Sequence, residues 1–84
     1  VATINIVLDY DYVGEMQYLY LDDKIITWGD YDSGGVDLVS QVADALGITT
    51  AFFKFVDEPS AEKMGDPSFD FLKFSNVKPL VRPG

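Results

Sequence analysis

Hydrophobic and polar residues alternate along residues 3–8, placing Ile4, Ile6 and Leu8 on one face and Thr3, Asn5 and Val7 on the other. A period of two marks a strand with one strongly apolar face. Asp9 to Glu15 follows as a polar connection containing Gly14. Met16 to Leu21 predicts a second strand, stopped by Asp22 and Asp23, whose short polar side chains favour a turn. Lys24 to Trp28 is its expected antiparallel partner, and the ribbon would pack Tyr18, Tyr20, Ile26 and Trp28. Leu19, Leu21 and Ile25 are apolar on the opposite parity. Both faces of this ribbon are therefore expected to be partly covered, one by a helix and one by the C-terminal segment.

The period changes after the turn-rich stretch Asp30 to Gly35. Val36 to Leu46 is apolar at 36, 38, 39, 42, 43, 45 and 46, and Val39, Val42 and Leu46 form the stripe expected of a core-facing helix. Asp32 or Ser33 would cap its start, and Gly47 would end it with a positive φ. Ala51 to Val56 is aromatic and β-branched, as a strand would be. Pro59 ends that strand or begins a helical turn over Ser60 to Met64. Asp66 and Pro67 read as the start of a short helix running to Phe74, although Phe69 and Phe71 also alternate as in a strand. Pro79 and Pro83 predict an extended edge or tail from Val77 to Arg82.

The fold expected from these pieces is α+β: a small, largely antiparallel three- to four-stranded sheet packed against one main helix. Its expected core is Ile4, Ile6, Leu8, Tyr20, Ile26, Trp28, Val39, Val42, Leu46, Phe53 and Phe55. With 84 residues, the chain is read as one domain over 1–84, near the lower size limit for a core without disulfides or metals.

Composition narrows the chemistry. The chain has no cysteine and no histidine, which removes disulfides, thiolate nucleophiles, cysteine-held metals and imidazole bases. No apolar run approaches the roughly 20 residues that cross a bilayer, so no membrane association is expected. The reading is a soluble chain, with the cytoplasm as the favoured compartment. A start at Val1 is consistent with processing or excision from a longer chain.

Charge is unevenly placed. The formal net charge is -8, and residues 1–50 carry nine acidic side chains against Lys24 alone, whereas residues 51–84 carry five of each sign. All five tyrosines lie in the first part and all six phenylalanines in the second. A phosphate backbone needs positive charge, so no direct nucleic-acid binding is expected. The glycines at 34 and 35 lack the spacing and the following Lys-Ser/Thr of a phosphate-binding loop.

Two acidic segments carry the candidate chemistry. Asp9-Tyr10-Asp11-Tyr12, with Glu15 nearby, resembles Asp30-Tyr31-Asp32 in composition, and both follow expected strands. If the strands bring them to one end of the sheet, Asp9, Tyr10, Asp11, Tyr12, Glu15, Asp30, Tyr31 and Asp32 form a partner-binding surface. Carboxylates would attract a basic protein surface, and tyrosine rings would supply contact area. The plain alternative is that acidic turns keep the domain soluble while the rings pack over sheet edges.

A cation site over Asp30, Asp32 and Asp37 fits poorly. With Asp30 first, Gly35 takes the sixth place of a calcium loop, but Gly34 stands fifth and Gln41 stands at the bidentate twelfth. No metal or cofactor is expected. A carboxylate pair for acid–base work would need a substrate cleft, and Ser60-Ala61-Glu62-Lys63 lacks the rest of a Ser-x-x-Lys catalyst. The chain is not expected to be an enzyme.

The resulting expectation is a small acidic protein-interaction module, with an inhibitor of a basic or nucleic-acid-binding surface as its most concrete form. The alternative is a structural or assembly module joined through a β edge or the C-terminal tail, Val77 to Gly84. The oligomeric state is left open.

Overall fold

In the computed structural model the alternation of residues 3–8 becomes β1 (Thr3–Leu8), the middle strand of a five-stranded sheet. The structure describes residues 2–8, 16–30, 33–64 and 67–84, with the backbone alone at 30 and 33–37. The other strands are β2 (Met16–Leu21), β3 (Lys24–Asp30), β4 (Thr49–Phe55) and β5 (Val81–Pro83), in the order β3-β2-β1-β4-β5. Three α-helices are described: α1 (Ser33–Ala45), α2 (Glu58–Met64) and the single turn α3 (Phe74–Val77).

The α+β class holds, but the sheet is larger than expected and mixed. β1 pairs antiparallel with β2 and parallel with β4, with Ile6 opposite Leu19 on one side and Phe52 on the other. A parallel neighbour requires a long crossover, and α1 provides it between β3 and β4. The fifth strand comes from the C-terminus, where an extended edge or tail was expected over Val77 to Arg82, and it does lie at the sheet edge. Residues 74–80 are instead helical, in α3 and a 3₁₀ turn over Lys78–Leu80, and only Val81–Pro83 extends. β5 is held by its pairing with β4 and by bonds from Val56 N–H to the Leu80 carbonyl (3.0 Å) and from Gly84 N–H to the Phe52 carbonyl (2.9 Å). Pro83 on an edge strand lacks the donor a further strand would use.

Each face of the sheet closes a separate core. Ile4, Ile6 and Leu19 pack with Ala43 of α1, flanked by Leu8, Val39 and Ile48. On the opposite face, Val7, Tyr18, Tyr20 and Phe55 pack with Met64 of α2 and with Phe74 and Val77 of α3. Tyr18 meets Phe55 edge-on at 6.1 Å between ring centroids, and Phe74 lies 5.5 Å from Tyr20 and 5.0 Å from Phe53. β1 is thus buried on both faces, which suits a central strand with parallel pairing.

Four expected core residues are exposed. The β2–β3 register skips between Leu19 and Tyr20, leaving Ile26 as the extra residue of a bulge and about half exposed. Trp28 is exposed because β3 is the sheet edge. Val42 and Leu46 are exposed because the row of α1 that meets the sheet is Val39 and Ala43. Conversely, the buried Val7, Tyr18, Leu19, Ala43, Met64, Phe74 and Val77 were not on the expected list.

Local signals determine most element ends. α1 begins at Ser33, within the stretch where its cap was expected, so Gly34 and Gly35 lie in its first turn. Past its last residue, Ala45, it is closed at Gly47 (φ 73), where Ile48 N–H bonds the Ala43 carbonyl at 2.8 Å and Gly47 N–H bonds the Asp44 carbonyl at 3.1 Å. α2 starts two residues earlier than expected because Asp57 caps it, its Oδ1 accepting Ser60 N–H at 2.8 Å. Hydrogen bonds from the Ser60 side chain and backbone hold the Asp57 carboxyl below its ordinary pKa. The helix expected from Asp66 to Phe74 is displaced. Asp66 lies outside the described residues, Phe69–Phe71 form a 3₁₀ turn, and α3 starts only at Phe74.

The Asp22–Asp23 turn does more than reverse the chain. Asp22 takes φ 53, its Oδ1 accepts Thr3 N–H (3.0 Å), and its carbonyl accepts Asn5 Nδ2 (3.1 Å), which satisfies the polar side chain on a buried position of β1. Asp23 reaches 52 residues along the chain: Oδ1 accepts Ser75 N–H at 2.7 Å and Oδ2 accepts Ser75 Oγ at 3.2 Å. Its carbonyl accepts Phe74 N–H (2.8 Å), and Ile25 N–H bonds the Leu72 carbonyl (3.0 Å). The carboxylate therefore satisfies a donor at the start of α3 and fixes the layer that covers Tyr20.

Two outcomes follow from this closure. Asp23→Ala should destabilise the fold by about 1–2 kcal/mol, read by urea unfolding, with faster amide exchange at Phe74 and Ser75 before elsewhere. The fully buried Tyr20 donates its hydroxyl to the Phe71 carbonyl at 2.8 Å, and burial, then the neighbouring Tyr18, pushes its pKa well above the ordinary value. A raised folded pKa gives stability that is complete below the unfolded value of about 10 and lost as pH climbs past it. Melting temperature should thus fall steeply above about pH 10 in the parent chain and less steeply in Tyr20→Phe. At neutral pH that variant should itself lose about 1–2 kcal/mol by orphaning the Phe71 carbonyl.

Candidate functional site

β1 and β3 both run antiparallel to β2, so the end of β1, the start of β2 and the end of β3 share one end of the sheet. The register makes this concrete: Leu8 stands opposite Gln17, and Met16 stands opposite Asp30. These three strand ends adjoin the two acidic segments. Asp9, Tyr10, Asp11, Tyr12, Glu15, Tyr31 and Asp32 lie outside the described residues, and of Asp30 the backbone alone is described.

The parallel β1–β4 pair adds neighbours that the sequence pattern did not place there. β4 leaves at the same end, with Lys54 opposite Leu8, so Asp57 and the exposed Glu58 follow directly. Asp57 is engaged as the α2 cap. Lys54 introduces positive charge at that end. Finding Asp57 and Glu58 from sequence would have required knowing that β4 runs parallel beside β1, and no local motif carries that information.

Tyr18 and Tyr20 belong to the core and contribute no contact surface. Tyr10, Tyr12 and Tyr31 are left as the rings that the acidic segments could present. Among the described residues, no group of three or more acidic side chains is placed to hold a metal ion. Asp30, Asp32 and Asp37, weighed as a cation site, lie outside the described side chains, and Gly34 and Gly35 between them are helical. No helix among the described residues is long and apolar enough to cross a membrane.

The sequence reading missed an apolar groove along α1. Ile4, Leu38, Val39, Val42, Ala43, Leu46 and Ile48 line a cavity of about 230 Å³ between the helix and the sheet. Leu38, Val42 and Leu46 are 63%, 53% and 68% exposed. The apolar arc of α1 is wider than the contact it makes: Val39 and Ala43 meet the sheet, and the 38/42/46 row flanks that contact. Leu21, opposite Ile4 in the register, is also exposed and extends the apolar surface onto β2. Beyond the other flank of the helix, Ser40, Asp44 and Thr50 line a more polar recess, where the Ser40 and Thr50 hydroxyl oxygens have no hydrogen-bond partner among the described residues.

No protein-family model, curated protein or solved structure matches this chain.

The division between committed core and exposed row is measurable. Val7→Ala, at a fully buried site, should cost about 2–4 kcal/mol, whereas Leu38→Ser should change stability by less than about 1 kcal/mol. Denaturant midpoints of the two variants check this directly. Equal losses would mean that Leu38 is packed inside the fold.

Proposed function

We propose that the chain is a small acidic protein-interaction module that binds a basic surface of a partner protein through one end of its sheet. The supporting observation is the strand register, which anchors residues 9–15 and 31–32 to adjoining strand ends at that end. Neither segment alone concentrates much charge, but together they supply Asp9, Asp11, Glu15, Asp30 and Asp32, with Tyr10, Tyr12 and Tyr31 among them. Opposed charge accelerates encounter, and desolvated rings lengthen the lifetime of the complex. In its most specific form the module is an inhibitor that sets carboxylates where a nucleic acid would set phosphates. Competition between the chain and DNA or RNA for the captured partner tests that form.

The decisive experiment is affinity capture with salt-graded elution, followed by kinetics on the retained partner. Replacing Asp9, Asp11, Asp30 and Asp32 by Asn should slow association about tenfold and flatten its salt dependence. Tyr10→Ala or Tyr31→Ala should raise the dissociation rate by roughly tenfold at fixed salt. Unchanged rates in all these variants, with folding intact, would overturn the reading.

A further inference from the structure

β5 covers only part of the outer edge of β4. β4 spans Thr49–Phe55, but its ladder with β5 pairs Phe53, Lys54 and Phe55 alone, and the bond from Gly84 N–H to the Phe52 carbonyl carries it one residue further. In a strand the N–H and C=O of one residue point to the same side, and successive residues alternate sides. The Phe52 carbonyl is on the β5 side, so the Thr50 N–H and C=O point out past the end of β5, where no described residue meets them. We propose that this free stretch is a strand-addition site: a basic extended segment of a partner protein continues the line of β5, antiparallel to β4, and sets a lysine or arginine opposite Thr50. The site lies at the start of β4, at the end of the sheet away from the acidic segments, and does not rest on the reading above.

Two observations select that occupant. The first is continuity. β5 and Gly84 already define the direction and register of a strand on this edge, and the next hydrogen-bonded position along it faces Thr50. The other sheet edge, β3, is protected by its bulge, by Lys24 and by the bond from Ile25 N–H to the Leu72 carbonyl, and Thr49–Phe52 has none of these devices.

The second is side-chain chemistry. Thr50 pairs with Ile4, so its side chain lies on the α1 face of the sheet, and a residue opposite Thr50 points to that same face. There it meets the recess of about 520 Å³ lined by Ser40, Asp44, Gly47, Thr50 and Phe52. Gly84, which stands opposite Phe52, brings no side chain to fill it. The recess offers the exposed Asp44 carboxylate together with the Ser40 and Thr50 hydroxyl oxygens, which have no hydrogen-bond partner among the described residues. A cationic side chain that only donates matches that set of acceptors. Lys54 and Arg82 share the face but stand four residues along β4, about 13 Å from Thr50.

Hydrogen exchange of the free chain is the first test. The Thr50 amide should exchange at least about tenfold faster than those of Ala51 and Phe53, which point to β1. The probe is an acetylated, amidated pentapeptide, Val-Lys-Val-Thr-Val, titrated into the ¹⁵N-labelled chain. It should give saturable amide shifts that are largest at residues 49–52 and slow the Thr50 amide about tenfold or more at saturation. Glutamate in place of its lysine should weaken binding at least about threefold, and so should Asp44→Asn, a substitution at an exposed site that leaves the fold intact. Methylation of the peptide's lysine backbone nitrogen, which removes the donor facing the Thr50 carbonyl, should weaken it about tenfold or more.

A Thr50 amide already protected in the free chain would mean that the edge is occupied, by a second copy or otherwise, and would overturn the proposal. So would the absence of saturable shifts up to about 10 mM peptide, or equal binding of the methylated peptide. Unchanged affinity with the glutamate peptide or in Asp44→Asn would remove the basic partner, and shifts centred on the acidic end or on Leu38, Val42 and Leu46 would remove the site.

Discussion

Parallel strands cannot be joined by a tight turn, and the pairing of β1 with β4 governs the rest of this fold. A chain leaving β3 must return along the sheet before it can start β4 beside β1, and α1 is that return. The crossover covers one face only. The other face stays open until α2, the 3₁₀ turn at Phe69–Phe71 and α3 fold back over Val7, Tyr18, Tyr20 and Phe55. Because β1, β3 and β4 run the same way, the same constraint collects three chain exits at one end. Fold and candidate surface therefore depend on one pairing.

The C-terminal layer is closed by directed contacts as well as by burial. Asp23 is a turn residue by local chemistry, yet its carboxylate and carbonyl hold Ser75 and Phe74. Tyr20 extends from the sheet to the Phe71 carbonyl on the other side of the same layer. Two polar links flank an aromatic cluster that has no charged member. Such links fix the layer over the sheet, because hydrophobic burial alone has little directional preference.

Local signals made much of this legible, and non-local ones did not. Period-two alternation identified β1, the run Met16–Leu21 ahead of the Asp22–Asp23 turn identified β2, both at their observed bounds, and Gly47 identified the end of α1. Strand direction within the sheet was not legible, because a parallel partner leaves no mark on a single segment. Val81–Pro83 became a strand through β4, although its prolines signalled only an edge. The apolar arc of α1 concealed which row would be buried: Val39 with Val42 and Leu46, or Val39 with Ala43. Only the position of the helix over Ile4, Ile6 and Leu19 decides that. At the candidate acidic surface, strand order supplies the anchoring that composition could not. Asp57 and Glu58 became neighbours of that end only through the same order.

Strong negative charge and an exposed aliphatic row are compatible in one small chain for a physical reason. An apolar face on a neutral domain promotes self-association, but two copies with eight net negative charges each repel one another at the contact distances such faces require. Salt shortens that repulsion to about 8–10 Å without removing it at contact. Burying Leu38, Val42 and Leu46 against a second copy of the same acidic helix must overcome that repulsion first.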